Sequence, residues 1–413
     1  MGTDAAVIAA YAAEALRAGR GLRVCPVDAR ARWLEHSAEL LLDENSVLAR
    51  ELRERLPEET GLSPQMVLWG LRTSLRTVVQ GTLERMVREA KLAGAHVHDP
   101  ISLLAIVLAG NLFAAALRAM FVPLLFGVPV VAKASSRDAA FAEILCRALR
   151  QVDPSLGRAA QVLVFAGGDL AGEEALLKQA EAVSIYGSDD TVTAIAERLG
   201  GRIPVITHGH GVSMAFCGRA SLSPPDLDRT IERLAIDVAA YDQRGCLSPQ
   251  WIFVEESESM RAESFAELLS QRGLQALSVR LPRGPLPPAI GAAQAQWRGV
   301  AEATGTLLVG TEHAVAVARE QAPRWSPGYR NVTIVPIRDA DEAIERMRPF
   351  SGQIKCIGAT ADGLEELRRS LENDRSNQAF VCEMGSMQTP PFDAVADGRP
   401  AWEGLLRQAS APA

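Results

Sequence analysis

The residue with the most evident chemical potential is Cys246, which lies in the stretch YDQRGCLSPQ (241–250). Gly245 gives the backbone beside it flexibility, and Arg244 adds a nearby positive charge. Both features favour a thiolate, which is the nucleophilic form of cysteine. A half-buried structural cysteine would suit such a stretch equally well, so these residues alone leave both interpretations open.

The other cysteines are spaced in a way that excludes two kinds of site. The chain has Cys25, Cys146, Cys217, Cys246, Cys356 and Cys382. No two of them form a CxxC pair, which excludes zinc ribbons and redox dithiols. The five besides Cys246 have apolar neighbours, and we expect them to be buried as small hydrophobic side chains.

Two histidine pairs have the spacing of residues on one face of a strand, namely His208 with His210 and His96 with His98. A zinc site would need a third protein ligand, and neither pair has an obvious one in the sequence. A histidine satisfied by ordinary structural contacts is the more common case. We therefore predict that the chain binds no metal.

Short β-rich runs alternate with amphipathic stretches from about residue 104, which is typical of a parallel α/β sheet. Strands are predicted at 104–109, 128–133, 161–165, 182–186 and 202–207. A sheet of this kind binds ligands at the carboxyl ends of its strands. The segment GGDLAG (167–172) does not fit the dinucleotide fingerprint G-x-G-x-x-G, so a standard Rossmann motif is not indicated.

A second α/β segment is predicted to start near Ser213. A helix should follow Ser223-Pro224-Pro225, where the serine can cap it, and end near Tyr241. Further on we predict strands at 251–256 and 331–336, a helix at 340–348 and a loop at 283–290. Cys246 then lies in a turn between a helix and a strand. The first hundred residues are predicted to be mainly helical, for example over 28–55.

Length and charge restrict the class of protein. A chain of 413 residues suggests two or three domains. The net charge of -7 and the pI near 5.6 provide no basic surface for nucleic acid or an anionic membrane. The uncharged run at 101–117 is too short for a membrane span, and Asp4 and Glu14 argue against a secretory signal. We expect a cytoplasmic protein that acts on a small molecule.

Four stretches resemble, in their order and approximate separation, the aldehyde dehydrogenase superfamily. They are AIVLAGNLF (105–113), GVPVVAKASS (127–136), YGSDDTVTAIAERLGGRIPVITHGHG (186–211) and DQRGCLSPQWIFV (242–254). Two more, NVTIVPI (331–337) and EMGSMQTPPFDAVADGRP (383–400), are similar to the acyl-CoA reductase branch, the fatty-acid reductases of bacterial luminescence and their relatives. The resemblance implies an α/β, aldehyde-dehydrogenase-like fold.

This fold would combine a Rossmann-type parallel-sheet cofactor domain with an α/β catalytic domain. We expect a helical N-terminal region and nucleotide-binding domain at 1–212, the catalytic domain at 213–380 and a C-terminal tail at 381–413. The resemblance also implies that the tail segment QAFVCEM (378–384) adds a strand across a subunit interface. We therefore expect a homo-oligomer.

The resemblance implies that Cys246 attacks a thioester carbonyl and forms an S-acyl enzyme, which accepts hydride and releases an aldehyde. A thiol suits this role because it is both a good nucleophile and a tolerable leaving group. Asn111 would stabilise the oxyanion together with the Cys246 backbone N–H; the alternative is that Asn111 caps a helix starting at Leu112. Where oxidising relatives carry a Glu that activates water, this chain has His208, which would transfer a proton instead.

The resemblance assigns Lys133 to the ribose of the cofactor's adenosine. Three residues later, NAD-preferring members tend to carry Glu, whereas this chain has Ser136. With Ser135 and Arg137 beside it, the pocket suits a 2′-phosphate. We therefore predict NADPH as the cofactor, with NADH as the alternative. Without a ligand, Lys133 and Arg137 would simply be exposed charges at the end of a strand and the start of a helix.

Gly187 and Ser188 would lie beside the cofactor pyrophosphate, with N–H groups of the following helix as donors. The stretch RWSPGYRNV (324–332) lacks the carboxylate of the superfamily's E-x-F-G-P motif. The expected substrate is an acyl-CoA or an acyl-carrier protein. The alternatives are an NAD-dependent acylating aldehyde dehydrogenase, an acyltransferase that needs no nucleotide, and a non-catalytic acyl-binding scaffold of the same fold.

Overall fold

A computed structural model of the chain describes residues 4–79, 81–95, 99–135, 137–319, 324–371 and 379–407. The N-terminal part is helical, as predicted. Its helices are α1 (Ala5–Val24), α2 (Val27–Leu42), α3 (Val47–Thr60), α4 (Pro64–Arg76) and α5 (Thr82–Leu92). The helix expected over 28–55 is in fact two helices, because the chain turns at 43–46 between α2 and α3.

The first sheet is parallel throughout. Its strands are β1 (Leu104–Val107), β2 (Val130–Ala134), β3 (Ala160–Val164), β4 (Ala182–Tyr186) and β5 (Val205–His208), in the order β3-β2-β1-β4-β5. Each predicted strand is found, with its ends shifted by a few residues. The four residues of β1 are all buried. Burial on both faces explains why these strands are continuous apolar runs rather than alternating patterns.

Helices cover both faces of this sheet. They are α6 (Ala115–Leu125), α7 (Ala140–Val152), α8 (Pro154–Ala159), α9 (Leu170–Leu177) and α10 (Asp189–Leu199). One apolar cluster joins α6 and α7 to α2–α5, and another lies between the sheet, α1, α9 and α10. The uncharged run at 101–117 is thus a strand, a bend at Gly110-Asn111 and the start of α6.

The second sheet contains the strand that follows Cys246. Its strands are β6 (Val212–Cys217), β7 (Pro249–Glu255), β8 (Thr306–Val309), β9 (Ala314–Val317), β10 (Asn331–Ile337), β11 (Ile354–Ala359) and β12 (Phe380–Glu383). Their order is β12-β11-β6-β7-β10-β9-β8. Strand β8 is antiparallel to β9, and the other described pairs are parallel. Strands β7 and β10 were predicted, whereas β6, β8, β9 and β11 were not.

The strand expected in the C-terminal tail exists and joins the sheet of its own chain. Strand β12 lies parallel to β11, with Cys382 opposite Gly358. This pairing places β12 at the edge of the second sheet, where its free side can accept another strand. A role for the tail at a subunit interface stays a prediction.

The helices of the second part are α11 (Leu227–Ala239), α12 (Ala262–Leu268), α13 (Ala276–Arg280), α14 (Pro288–Thr304), α15 (Ala340–Met347) and α16 (Ala361–Leu371). Two local predictions are wrong. Ser223 does not cap α11, because its hydroxyl donates to the carbonyl of Ala220 at 2.9 Å and the helix begins only at Leu227. The loop expected at 283–290 ends earlier, because Pro288 is the first residue of α14, where its missing N–H costs nothing.

The chain crosses from the first sheet to the second at residues 209–211, between β5 and β6. The domain boundaries at 212 and 380 stay predictions. Within the described ranges, no helix combines the length and the apolar character that crossing a membrane requires.

Candidate active site

A cleft of about 1340 Å³ lies where the carboxyl ends of the first sheet meet the loop before β7. Asn111, His208 and Cys246 all line it. The structure therefore brings together three predicted catalytic residues that are far apart in the sequence. Pockets for one small ligand usually measure ~300–1,000 Å³, so this cleft has room for more than one ligand.

The backbone before Cys246 has an unusual conformation. Tyr241, Asp242 and Gln243 have φ values of 51°, 53° and 57°, so three consecutive residues other than glycine are left-handed. Each residue in this region costs on the order of 1–3 kcal/mol, and such strain persists only where surrounding contacts impose it. The contacts that hold this left-handed segment are therefore part of the site.

Those contacts come mainly from β10 and the residue before it. The Asp242 carboxylate pairs with the Arg330 guanidinium at 2.8 Å, and both side chains are only 1% exposed. The Gln243 amide donates to the carbonyl of Asn331 at 2.8 Å, and its own carbonyl accepts the Asn331 N–H at 2.8 Å. Tyr241 shares a hydrogen bond of 2.9 Å with Ser74 of α4. The second sheet and the N-terminal helices thus fix the segment together.

Cys246 is exposed to solvent at the cleft, while protein atoms surround its loop on the other sides. Partial desolvation by the surrounding protein raises the pKa of the Cys246 thiol, the positive charge of Lys355 lowers it, and the negative charge of Asp397 raises it. The hydroxyl of Ser213 in β6 donates to the Cys246 carbonyl at 2.7 Å. The thiol is therefore accessible to a substrate, fixed through its own backbone, and dependent on nearby charge for ionisation.

Asn111 is held against the loop of Cys246 by two hydrogen bonds. Its side-chain amide donates to the carbonyl of Arg244 at 3.1 Å, and the Arg244 guanidinium donates back to the carbonyl of Asn111 at 3.2 Å. Helix α6 begins only at Ala115, after Ala114 at its N-terminal cap. The capping alternative for Asn111 is therefore wrong. An amide donor beside the nucleophile suits an oxyanion role.

Arg244 has a structural part in this arrangement. Besides Asn111, its guanidinium donates to the carbonyl of Thr60 at the end of α3, at 2.7 Å. The positive charge that lowers the pKa of Cys246 belongs instead to Lys355. Arg244, the cation suggested by the sequence, is therefore not the one whose charge acts on the Cys246 thiol.

His208 ends β5 and stacks on the ring of Tyr186 in β4, with ring centroids 4.1 Å apart. Burial lowers the pKa of His208 to about 4, helped by the positive charges of Arg399 and Arg118 and opposed by the negative charge of Asp397. At neutral pH the imidazole is therefore uncharged. The neutral ring can accept a hydrogen bond or a proton. It lacks the additional proton that a charged imidazolium could donate.

A segment of the C-terminal tail closes one side of the cleft. Asp397 accepts a hydrogen bond from the Lys355 ammonium at 2.6 Å, and the Arg399 guanidinium donates to the carbonyl of Thr207 at 3.0 Å. Arg118 of α6 donates to the carbonyl of Ala394. These contacts tie residues 394–399 to both sheets around the cleft.

The predicted cofactor residues lie at the carboxyl ends of β2 and β4. Lys133 is 6% exposed, and its ammonium lies 5.6 Å from the centre of the Phe165 ring. Burial lowers the pKa of Lys133, and the negative charge of Glu173 opposes this. Among the described residues Lys133 has no ion-pair partner. A buried ammonium without a described ion-pair partner, at this edge of the sheet, fits an anionic or hydroxyl-bearing ligand.

Three other predicted cofactor residues are nearer the cleft. Arg137, Gly187 and Ser188 line it, whereas Lys133 and Ser135 lie outside its lining. The Ser188 hydroxyl caps α10 by accepting the Thr191 N–H at 3.3 Å. The Ser135 hydroxyl accepts the Arg137 N–H at 3.3 Å. Ser136 lies outside the described residues.

The N-terminus of α7, which follows Arg137, is already occupied by a carboxylate. Glu59 of α3 accepts the N–H groups of Ala139 and Ala140 at 3.1 and 2.8 Å. Burial raises the pKa of the neighbouring Asp138 to about 8, so this carboxyl is protonated at neutral pH. Any phosphate near Arg137 would therefore depend on that guanidinium and on hydroxyl groups rather than on the amides of α7.

Comparison with known proteins identifies the family. A family model described as acyl-CoA reductase (LuxC) matches residues 25–407. The chain belongs to the acyl-CoA reductase (LuxC) family. The matched range contains every residue of the cleft named above. A search of curated proteins found no match.

Solved structures similar to this acyl-CoA reductase are aldehyde dehydrogenases. Aldehyde dehydrogenase 21 from Physcomitrella patens, in complex with the reaction product succinate, gives a TM-score of 0.73 at 16% identity, over 98% of this chain and 90% of that one. Aldehyde dehydrogenase C from Pseudomonas syringae, complexed with NAD+ and octanal, gives 0.70 at 16%, over 92% and 81%. An NADP-dependent glyceraldehyde-3-phosphate dehydrogenase from Bacillus halodurans, complexed with NADP, gives 0.65 at 16%, over 92% and 83%. The predicted aldehyde-dehydrogenase-like fold is confirmed.

Family membership makes the chain an oxidoreductase of acyl and aldehyde groups. Its histidines do not form a metal site within the described residues, where no cluster of three or more His, Cys, Asp or Glu side chains could hold a metal ion. His208 stacks on Tyr186, and the backbone N–H of His210 donates to Asp189 at 2.9 Å. The second histidine pair, His96 and His98, lies outside the described residues.

Several charged residues of the reductase's cleft were not predicted from the sequence, and two of them, Lys355 and Asp397, act on Cys246. Lys355 stands in the apolar run IKCIGA, where it looks like an exposed lysine of an ordinary strand. Asp397 lies in the tail 151 residues beyond Cys246. The motif similarity of the segment 383–400 was the one available signal, and it did not single out the aspartate.

Proposed function

We propose that this reductase converts an acyl thioester, carried on CoA or on an acyl-carrier protein, to an aldehyde through an S-acyl intermediate on Cys246, using NADPH. The observation that carries the proposal is the position of the Cys246 thiol. It opens onto a cleft that also contains an amide from Asn111, and a strained backbone segment fixes it there. The family and the fold agree with this chemistry.

The residues of the cleft account for acylation. The Cys246 thiolate attacks the thioester carbonyl, a sulfur–carbon bond forms, and the carbonyl oxygen becomes an oxyanion. The Asn111 amide and the Cys246 N–H would stabilise that charge, and one such donor contributes about 2.7–4 kcal/mol to transition-state stabilisation. When the oxyanion collapses, the thiolate of CoA or of the carrier departs and takes up a proton, which leaves the S-acyl enzyme.

Residues at the carboxyl edge of the first sheet would hold NADPH, which would supply the hydride that reduces this acyl group. Gly187, Ser188 and Arg137 line the cleft and would hold its phosphates, with Lys133 and Ser135 at the neighbouring strand end. Arg137 has no carboxylate partner within the described ranges, which supports binding of a 2′-phosphate. The sulfur of Cys246 then leaves as a thiolate. A thiolate is a better leaving group than the alkoxide that an oxygen nucleophile would form.

The chemistry of His208 supports reduction over hydrolysis. The resemblance implies that oxidising relatives use a carboxylate at the position of His208 to activate water. This chain has a neutral imidazole in that position, so it lacks the anionic base that activates water. A long-lived acyl enzyme would leave time for reduction.

The test measures acyl transfer to the protein and nucleotide oxidation separately. The full chain is incubated with an acyl-CoA series, intact mass reports acylation, and absorbance reports oxidation of NADPH or NADH. We expect Cys246→Ala to abolish both signals and the matched control Cys25→Ala, at a partly exposed thiol distant in sequence, to retain both. Equal rates in the parent and Cys246→Ala would overturn the proposal.

The same data separate the alternatives. Faster turnover with NADH would indicate an NAD-dependent acylating dehydrogenase. Acylation of Cys246 followed by transfer to an acceptor without nucleotide oxidation would indicate an acyltransferase. An unmodified protein with every donor would indicate an acyl-binding scaffold. Size-exclusion chromatography with light scattering tests the expected homo-oligomer, and cell fractionation tests the expected cytoplasmic location.

A further inference from the structure

Strand β11 has an irregularity at Lys355, next to the cleft. Its pairing with β6 sets Ile354 opposite Val212 and Cys356 opposite Ser213, so Lys355 has no partner residue. Bulges of this kind re-aim side chains and are common beside active sites. In agreement, Ile354 and Cys356 lie in different apolar clusters, although they would share one face of a regular strand. Lys355 itself lines the cleft.

The Lys355 side chain is fixed at both ends. A β-carbon added to Gly211 would lie 2.3 Å from the lysine Cγ and Cε, so the lysine stem lies against that glycine. The ammonium donates to Asp397 at 2.6 Å, and the two side chains are 16% and 21% exposed. Asp397 has a φ of 54°. A left-handed residue of the tail thus presents the carboxylate to a lysine of the second sheet.

The bulge lies directly below the loop of Cys246. Ser213, the strand partner of Cys356, donates to the Cys246 carbonyl at 2.7 Å. Cys356 belongs to the apolar cluster against which Leu247 packs. Lys355 therefore faces the cleft beside the nucleophile, and its charge and that of Asp397 act on the thiol in opposite directions.

We propose that Lys355 and Asp397 form an ion pair that controls the ionisation of Cys246. Lys355 stabilises the thiolate, and Asp397 holds the ammonium in place while offsetting part of its charge. Both are positioning residues, because they act through Cys246. The catalytic meaning of the pair rests on the proposed function, in which the sulfur must be a thiolate both when it attacks and when it is expelled. Its effect on the thiol does not depend on any substrate.

Other titratable groups around the thiol do not replace this pair. His208 on β5 is neutral at neutral pH, because burial lowers its pKa to about 4. Hydrogen bonding with Cys382 and burial raise the pKa of Cys356 well above its ordinary value, so that thiol also stays neutral. The other described cations that line the cleft are Arg118 on α6, Arg399 in the tail, Arg244 on the loop itself and Arg137 before α7. The first two act on His208, and Arg244 donates to two carbonyls.

The experiment measures the rate of iodoacetamide alkylation at Cys246 against pH, read by peptide mass spectrometry on the intact, folded chain. Lys355→Met should move the midpoint of the profile to higher pH and slow alkylation at neutral pH about tenfold. Asp397→Asn keeps an acceptor oxygen but removes the negative charge, so its midpoint should move to lower pH. Lys178→Met, at an exposed lysine that caps the end of α9 and pairs with Glu174, is the matched control and should leave the profile unchanged.

Opposite shifts in the two variants support the ion pair, since loss of packing alone would not reverse sign between them. An unchanged profile in Lys355→Met, or a shift in the same direction for both variants, would overturn it. If Lys355→Met fails to fold, Asp397→Asn decides alone, because a midpoint that stays in place or rises refutes the proposal. If Cys246→Ala loses reductase activity but the alkylation profiles of Lys355→Met and Asp397→Asn do not move, only the ion-pair proposal is refuted. Shifted profiles without reductase activity would refute only the proposed function.

Discussion

Breaking the buried ion pair between Asp242 and Arg330 should lower the free energy of unfolding far more than breaking a surface ion pair. Both side chains are 1% exposed, and their charged atoms are 2.8 Å apart. Asp242 also accepts the Gly284 N–H at 3.0 Å, and Arg330 lies 3.2 Å from Glu312. Asp242→Asn keeps an oxygen for Gly284, so the change removes essentially the charge.

The expected cost follows from what each single variant leaves behind. Breaking a buried pair from one side costs about 3–5 kcal/mol, because the remaining charge loses its partner without regaining water. Asp242→Asn should fall near the lower end, because Glu312 still compensates Arg330. Arg330→Met should cost more stability, because it leaves the buried Asp242 carboxylate with one N–H donor. Combining the two removes both charges, and the singles should then be non-additive by about 2 kcal/mol or more.

Urea unfolding followed by tryptophan fluorescence gives the free energies of unfolding. Trp251 of β7 stacks on Trp325 at 4.2 Å, which makes the second sheet a good reporter. The control cycle uses the exposed pair of Asp228 and Arg272, whose atoms are 3.4 Å apart and whose side chains are 77% and 64% exposed. There the coupling should be about 0.2–1 kcal/mol.

The same variants should slow acylation of Cys246, because Asp242 lies in the left-handed segment that positions it. Misplacement of a reacting group by about 1 Å can cost ~10²-fold in rate. The reasoning is refuted if the buried and the exposed cycles give equal coupling energies. It is also refuted if Asp242→Asn acylates at the parental rate while losing stability, since the left-handed segment would then not depend on this pair.

Two further predictions concern other parts of the site. Asn111→Ala should lower kcat about 10²–10³-fold with little change in KM, because an oxyanion donor acts mainly in the transition state; steady-state kinetics check this, and a pure rise in KM would contradict it. Asp237 of α11 accepts the N–H groups of Gly385 and Met387 at 2.5 and 3.1 Å, and burial raises the pKa of Asp237 from an ordinary 3.8 to about 7. Within that pH window the folded protein binds one proton more than the unfolded chain, so stability should fall as pH rises from about 4 to about 7. Asp237→Asn should flatten this decline in a series of thermal melts, and an unchanged slope would contradict the assignment.

The sequence predicted the first sheet well for a physical reason. Parallel strands buried on both faces are short apolar runs, and those runs are visible without any knowledge of neighbours. The second sheet was harder, and one of its missed strands is irregular. Strand β11 carries an extra residue, Lys355, opposite the step from Val212 to Ser213 in β6. An interrupted alternation hides a strand from a search for periodicity.

The candidate site divides in the same way. Cys246, Asn111 and His208 were found because motifs of the superfamily surround them in the sequence. The pairing of Lys355 with Asp397 was not, because it depends on a bulge and a left-handed residue that bring two distant segments together. The neutral state of His208 could not be predicted from the sequence either, because its lowered pKa results from burial and from cations on other elements.

The position of Cys246 is set from both sheets at once, and this is what links the fold to the chemistry. Contacts of Asp242 and Gln243 with residues 330–331 tie its loop to the second sheet. The reciprocal bonds between Arg244 and Asn111 tie the same loop to the end of β1. A nucleophile held in only one of these ways would follow one sheet when the other moved. Held in both, the sulfur keeps a fixed distance to the Asn111 amide and to the carboxyl edge of the first sheet, and catalytic geometry in general requires rigid supports within about 0.5 Å.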